Sequence, residues 1–133
     1  MNRVFLDTNI VLDMLTEERE NHLQSKELFS YLLLNDYDVV ISEDMLSTIY
    51  YIAKNKSATL EFFQTIQDEW MIVPYGKEVI SQALIFALDN KNDLEDTLQC
   101  FSAKAYKCEY VITSDKKFID CGIKIVDYKR FLK

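Results

Sequence analysis

The sequence predicts an α/β fold in which helices cover both faces of a parallel sheet. Short runs of β-branched and other apolar residues alternate with longer segments whose apolar residues recur at helical spacing. Strands separated by helices need crossover connections, which are right-handed and leave the strands parallel. The chain has only two glycines and one proline, so it lacks the turn-forming residues that an all-β fold requires.

Five short strands are predicted from apolar runs that are rich in valine and isoleucine. The first is the run VFL, and the third ends at Pro74, which has no N–H to donate to a strand ladder. The predicted strands cover residues 4–6, 39–41, 70–73, 110–113 and 124–126.

Six helices are predicted between and around these strands. Thr8 or Asn9 is expected to cap the first, Ser42 the third, and Asn92 or Asp93 the last. The helix over residues 77–88 is expected to turn one apolar face inward. The predicted helices cover residues 10–15, 22–34, 43–54, 57–67, 77–88 and 94–106, and the inward residues of the fifth are Val79, Ile80, Ala83, Leu84 and Ala87.

Length and composition indicate one globular domain over residues 1–133. About half of the residues (49%) are hydrophobic, which argues against disorder. The net charge of −7 counts against a protein that coats nucleic acid through charge alone. It is compatible with an enzyme that holds phosphates through bound cations.

The cysteines and apolar runs predict a cytoplasmic protein without a membrane segment. Cys100, Cys108 and Cys121 form no CxxC pair, and His22 is the only histidine, so a structural zinc site has little support. Reduced thiols are the expectation. The apolar runs are too short to cross a bilayer, and no signal peptide precedes the first strand.

Acidic residues follow two of the predicted strands. Asp7 comes directly after the first strand and Asp115 after the fourth, while Asp93 and Asp96 lie at the start of the helix before the fourth strand. Ligands of open α/β sheets bind beyond the carboxyl ends of the strands. Clustered carboxylates suit Mg²⁺ or Mn²⁺, which can acidify a water and polarise a phosphoryl oxygen. The pattern therefore indicates metal-assisted phosphodiester chemistry.

Three segments resemble the motifs of PIN domains, in particular those of VapC-type toxins. They are LDTNIVLDML at residues 6–15, ISEDMLSTIYYIAKN at residues 41–55 and DLEDTLQCFSAKAYKCEYVITSDKKF at residues 93–118. The resemblance implies a three-layer α/β/α sandwich with a five-stranded parallel sheet in the order 3-2-1-4-5. It also implies an endoribonuclease that uses Mg²⁺ or Mn²⁺ and a metal-bound water, leaves a 5′-phosphate and a 3′-hydroxyl, is often a homodimer and is blocked by an antitoxin.

The resemblance assigns roles to individual positions. Asp7, Asp96 and Asp115 match the acids that bind metal and carry out catalysis, and Asn9 and Thr113 match polar residues that line the site.

One position departs from the pattern. Many relatives have a glutamate where this chain has Thr48, and Glu43 and Asp93 are the candidates to compensate for it. Lys116 and Lys117 follow Asp115 and are candidate contacts to RNA phosphates.

Other interpretations of the same residues stay open at this point. Asp7 could serve only as a helix cap, Asp96 as an acid favoured by the helix dipole, and Asp115 as a turn residue. Thr48 favours a second hypothesis, a catalytically weakened PIN module that binds RNA or a protein partner. A phosphatase of the haloacid-dehalogenase type is a third, but that chemistry needs a second acid where Asn9 stands.

Overall fold

The computed structural model describes residues 2–133. Its five strands are β1 (Arg3–Leu6), β2 (Asp38–Ser42), β3 (Met71–Val73), β4 (Tyr110–Ile112) and β5 (Lys124–Val126). They form one parallel sheet in the order β3-β2-β1-β4-β5, which confirms the predicted topology. The carboxyl ends of all five strands therefore lie along one edge, with β1 in the middle.

Within residues 2–133, seven helices connect and flank the strands and cover both faces of the sheet. The sequence did not predict the last one, because five residues are too few to show a helical period. The helices are α1 (Thr8–Leu15), α2 (His22–Leu34), α3 (Asp44–Ile52), α4 (Lys56–Glu69), α5 (Gly76–Asn90), α6 (Leu94–Ala105) and α7 (Tyr128–Leu132).

Of the three helices for which N-cap residues were predicted, two have a different N-cap. Asp7, rather than Thr8 or Asn9, is the N-cap of α1. Ser42 ends β2 instead of capping α3, and its hydroxyl donates to the Tyr75 hydroxyl at 3.3 Å. Asp93 caps α6 as predicted, since its carboxylate accepts a hydrogen bond from the Asp96 N–H.

The core lies around β1, whose residues Val4, Phe5 and Leu6 are fully buried. A strand covered on both faces needs apolar residues at successive positions rather than alternate ones. α5 differs from its prediction: Val79 and Ala83 are buried, but other members of its predicted inward face are not. Of the large apolar residues on that face, Ile80 and Leu84 stay 42% and 51% exposed.

The cysteines also differ from expectation. A disulfide joins Cys100 of α6 to Cys121 between β4 and β5, whereas Cys108 is a buried free thiol. Spacing alone could not reveal this pair, because the bond depends on where α6 packs. Within residues 2–133, no helix has the length and apolar character needed to cross a membrane.

Candidate active site at the carboxyl edge of the sheet

Asp7, Thr113 and Asp115 are joined by hydrogen bonds at the ends of β1 and β4. Leu6 pairs with Ile112 in these neighbouring strands, so the residues that follow each strand are side by side. The Thr113 hydroxyl donates to Asp7 Oδ2 at 2.7 Å and accepts from the Asp115 N–H at 3.0 Å. The sheet register therefore brings together two acids that are far apart in sequence.

The Asp7 carboxylate is buried, with only 6% of the residue exposed. Its Oδ1 accepts a hydrogen bond from the Thr8 N–H at 2.7 Å, so it is a helix cap as well as a site candidate. Burial raises the pKa of the Asp7 carboxyl, although hydrogen bonds from Thr113 and Thr8 partly offset this effect. No Lys or Arg within residues 2–133 forms a salt bridge with it.

The start of α6 adds more carboxylates to the same edge. Burial and the charges of Asp93, Asp7 and Asp115 raise the pKa of the Asp96 carboxyl to about 7. Asp93 itself accepts from the Asp96 N–H at 3.0 Å. The three acids that the sequence singled out, with Asp93, are thus within electrostatic reach of one another.

Two acids that the sequence analysis missed belong to this cluster. Burial, followed by the charges of Asp7 and Asp44, raises the pKa of Glu95. Asp44 lies in the first turn of α3, where its Oδ2 accepts from the Tyr75 hydroxyl at 3.1 Å. A signal for Asp44 was present: it precedes Thr48 by four residues, so the two share a helix face.

Glu43 is one of the two acids considered as substitutes for the missing glutamate. It lines a separate groove of about 950 Å³ near β3, together with Trp70 and Ile72. Asp44, rather than Glu43, is therefore the α3 acid whose charge reaches the site. The Thr48 hydroxyl donates to the Asp44 carbonyl at 3.3 Å, which is a hydrogen bond within α3.

The remaining predicted residues lie around the rim. Asn9 is exposed in the first turn of α1, and its Oδ1 accepts from Arg19 at 3.3 Å. Lys116 and Lys117 are exposed, and the Lys117 N–H donates to Asp115 Oδ1 at 2.9 Å.

A groove of about 1050 Å³ begins at Thr113, Ser114 and Asp115. Its walls come from the α1–α2 connection and the first half of α2 on one side and from the β5–α7 region on the other. Both signs of charge line it: Glu20, Glu27, Asp115, Asp120 and Asp127 are acidic, and Lys116, Lys124, Lys129 and Arg130 are basic.

Gln99 of α6 is a buried polar residue that no sequence motif indicated. It is completely buried, and its Nε2 donates to the Thr8 hydroxyl at 3.3 Å. Its Oε1 has no hydrogen-bond partner within residues 2–133. Gln99 thus supports the start of α1, the helix that Asp7 caps.

The donor chemistry of the edge fits a hard divalent cation. All candidate ligands are carboxylate or hydroxyl oxygens, and burial together with neighbouring carboxylates raises the pKa of Asp7, Glu95 and Asp96. Within residues 2–133, no three His, Cys, Asp or Glu side chains form a ready-made ligand set. Water ligands, which Mg²⁺ commonly retains, are consistent with such an open site.

Comparison with known proteins identifies the family. The family model described as PIN domain matches residues 4–124. The chain is 32% identical to Ribonuclease VapC1 of Aquifex aeolicus (strain VF5), and the match covers 97% of this chain and 92% of that protein.

Solved structures share the fold at low sequence identity. A toxin–antitoxin complex from Klebsiella pneumoniae matches with a TM-score of 0.69 and 20% identity, over 94% of this chain and 97% of that one. The sarcin–ricin-loop-cleaving toxin VapC20 of Mycobacterium tuberculosis matches with a TM-score of 0.71 and 12% identity, over 90% and 95%. The sheet order, the acids at its carboxyl edge and these matches lead to one conclusion: the chain belongs to the PIN domain family and is VapC-like.

Proposed function

We propose that this PIN domain is a divalent-metal-dependent endoribonuclease of the VapC-like toxin type, with Asp7, Asp96 and Asp115 as its catalytic carboxylates. The observation that carries the proposal is the excess of negative charge at the carboxyl edge. Burial and neighbouring acids raise the pKa of Asp96 to about 7. A divalent cation relieves this repulsion and also binds phosphate oxygens. The relative named a ribonuclease supports the choice of RNA as substrate.

The carboxylates have separate tasks in this mechanism. Asp7 is the fixed ligand, because Thr8 and Thr113 each hold one of its oxygens and leave further lone pairs for a cation. Asp96 would hold the cation as a carboxylate, and its pKa of about 7 means that cation binding would favour loss of its proton. Asp115 is positioned by its own N–H bond to Thr113. Bound there, Mg²⁺ or Mn²⁺ supplies an acidified water and stabilises charge on the phosphoryl oxygens.

Asp44 takes the place of the glutamate that many relatives have at position 48. It lies one helical turn before Thr48, and the Tyr75 hydroxyl fixes its carboxylate at 3.1 Å. Asp93 supports Asp96 by capping α6. Glu43 has no part in this proposal, since it lines the other groove.

The proposed protein partner is an antitoxin, and a second copy of the chain is the proposed homodimer partner. The Klebsiella relative supports the first, being described as a toxin–antitoxin complex. α5 offers a surface for either, because an apolar row on it remains open to solvent and such rows commonly mark interfaces. Its exposed members are Ile80, Leu84, Ile85 and Leu88.

The decisive experiment is cleavage of a mixed RNA pool in the presence of Mn²⁺. We expect cleavage by the wild type, loss of cleavage with EDTA, and loss in Asp96→Asn. The matched control is Asp68→Asn, which removes an exposed helical carboxylate of α4. Cleavage that persists in EDTA or in Asp96→Asn would overturn the metal-dependent mechanism.

A second candidate function is a PIN module that binds RNA without cutting it. Thr48 favours it, because a threonine cannot supply the charge of the family glutamate. Calorimetric titration with Mn²⁺ separates the two: a nuclease site binds the ion, and Asp44→Asn weakens that binding. Absence of Mn²⁺ binding together with retained RNA binding would favour the second function.

A further inference from the structure

Arg19, in the connection between α1 and α2, contacts both a rim residue of the candidate site and a buried acid. Its Nη2 donates to Asn9 Oδ1 at 3.3 Å, and its Nε donates to Asp13 Oδ1 at 2.7 Å. No motif in the sequence pointed to Arg19. These contacts bring a permanent positive charge to the first turn of α1, two residues beyond Asp7.

The buried acid holds the arginine in place. Asp13 is only 3% exposed, and the Tyr128 hydroxyl of α7 donates to its other oxygen at 2.8 Å. The backbone around Arg19 is also fixed, since its N–H donates to the Thr16 carbonyl and its carbonyl accepts from the His22 N–H, each at 3.1 Å. A guanidinium held this way loses little conformational entropy when it binds a ligand.

The same guanidinium remains accessible. The Arg19 side chain is 34% exposed, whereas Asp13 beneath it is almost fully buried. Its contacts with Asp13 and Asn9 use two of the five N–H donors of a guanidinium. Glu20 and Asn21, its neighbours in sequence, line the groove that begins at Asp115. The Arg19 guanidinium therefore lies beside the first turn of α1, next in sequence to residues that line this groove.

The electrostatics of RNA binding favour a fixed positive group at this place. The chain carries a net charge of −7, and the candidate site concentrates further carboxylates where a phosphodiester must come close. A cation bound to the acids offsets this only locally. Arginine donors match phosphate oxygens in pairs, so a fixed arginine on the rim can hold the phosphate beside the one that is cut.

We propose that Arg19 is a substrate-positioning residue that contacts an RNA backbone phosphate next to the scissile one. The inference rests on the proposed ribonuclease function and adds a specific residue to it. If Arg19 only neutralised Asp13, its loss would lower stability without changing how RNA binding depends on salt. A phosphate contact has a different signature, because each one contributes about 0.7 to the slope of log affinity against log salt for single strands.

The experiment measures binding of fluorescein-labelled, random-sequence single-stranded RNA at several salt concentrations. All variants carry Asp96→Asn so that the RNA stays intact. Arg19→Met is compared with Lys26→Met, which removes an exposed charge of α2 that does not line the groove. We expect Arg19→Met to weaken binding about tenfold and to lower the salt slope by about 0.7, whereas Lys26→Met changes neither.

Further variants keep the test valid if Arg19→Met fails to fold. The double variant Asp13→Asn/Arg19→Met removes both charges and leaves no unpaired buried acid. Arg19→Lys keeps the charge but loses the paired donors, so we expect it to bind RNA with intermediate affinity. In otherwise wild-type protein, Arg19→Lys is expected to raise KM for RNA cleavage with a smaller change in kcat.

The outcomes separate this inference from the proposed function. A salt slope that is unchanged in Arg19→Met and in Asp13→Asn/Arg19→Met would overturn the role of Arg19, even if the wild type cleaves RNA. Loss of affinity for an antitoxin with unchanged RNA affinity would also overturn it, because the ligand of Arg19 would then be a protein carboxylate. Arg19-dependent RNA binding by a wild type that does not cleave would support the contact and contradict the nuclease.

Discussion

α1 carries two buried aspartates, one near each end, with different surroundings. Asp13 has a cation, Arg19, at 2.7 Å and a hydroxyl donor from Tyr128. Asp7 is buried to a similar degree, but its hydrogen-bond donors within residues 2–133 are neutral groups, among them the Thr8 N–H and the Thr113 hydroxyl. Burying a carboxylate is costly unless a partner offsets its charge. Asp13 has its partner inside the chain, whereas the proposed partner of Asp7 is a bound cation.

The comparison sets an acid that is paired within the chain, Asp13, against one that is proposed to be functional, Asp7. An aspartate neutralised within the chain stabilises the fold and has little capacity left for a ligand. An aspartate that is desolvated among other acids destabilises the metal-free protein and favours a bound cation. The two residues should therefore respond in opposite ways to the same loss of charge.

The largest expected effect is the loss of RNA cleavage when Asp7, at the start of α1, loses its charge. Asp7→Asn should lower RNA cleavage by about 100-fold or more, because even groups that only support metal ligands typically contribute 10- to 100-fold. The free energy of unfolding should be unchanged or higher, since repulsion with Asp115 is relieved. Cleavage assays and urea unfolding on the same preparation test both parts. A variant that loses activity because it unfolds would make Asp7 a structural cap and remove the contrast with Asp13.

The second largest expected effect is a loss of stability when the disulfide near the carboxyl edge of the sheet is removed. The Cys100–Cys121 disulfide ties α6, which carries Asp96, to the segment after Asp115, and its partners are 21 residues apart. Closing a loop of this length contributes about 3 kcal/mol to stability. Cys121→Ser should lower the free energy of unfolding by about that amount under non-reducing conditions. Cys108→Ser, which alters a buried thiol without breaking a bond, is the control. Equal losses in the two variants would contradict a stabilising role for the bond.

Loss of charge at the other end of α1 should mainly affect stability. Asp13→Asn leaves Arg19 without its carboxylate, a change that costs 3–5 kcal/mol for a fully buried pair. Because the Arg19 side chain is 34% exposed, we expect about 2 kcal/mol. Urea unfolding measures it. A variant as stable as the wild type, but with cleavage lost as completely as in Asp7→Asn, would reverse the assignment of the two acids.

The smallest expected effect is a dependence of stability on pH. Asp96 has a pKa near 3.8 when unfolded and about 7 when folded, so the folded protein binds more protons between these values. The free energy of unfolding therefore falls as pH rises from about 4 to about 7. Asp96 is only partly buried, so solvent screening reduces the expected loss to about 1 kcal/mol.

Urea unfolding in EDTA across this pH range tests the effect of Asp96. The slope should shrink in Asp96→Asn, and excess Mn²⁺ should offset the loss at neutral pH. A wild type whose stability rises between pH 4 and pH 7 would show that other groups outweigh Asp96.

Much of the fold could be predicted from the sequence alone. The predicted strand order matches the structure because the three motifs belong to one family with one topology. The strands could be located because they are continuous apolar runs, as burial on both faces requires. The cap at Asp93 was predictable because capping is local chemistry. α7 was not, since a helix this short depends on packing rather than on its own periodicity.

The sequence also determined which acids stand at the ends of β1 and β4. Only the tertiary structure decided how each one is neutralised. Asp44 is the acid of α3 whose charge helps to raise the pKa of Glu95, and the way α3 packs against the sheet determines which of its side chains face the other acids. The pairing of Asp13 with Arg19, the Cys100–Cys121 bond and the burial of Asp7 are equally contacts across the packed fold. The sequence specifies only the number and positions of the charged residues. The electrostatic energy of each charge depends on its distance to other charges and on its desolvation, which are set only when the chain folds.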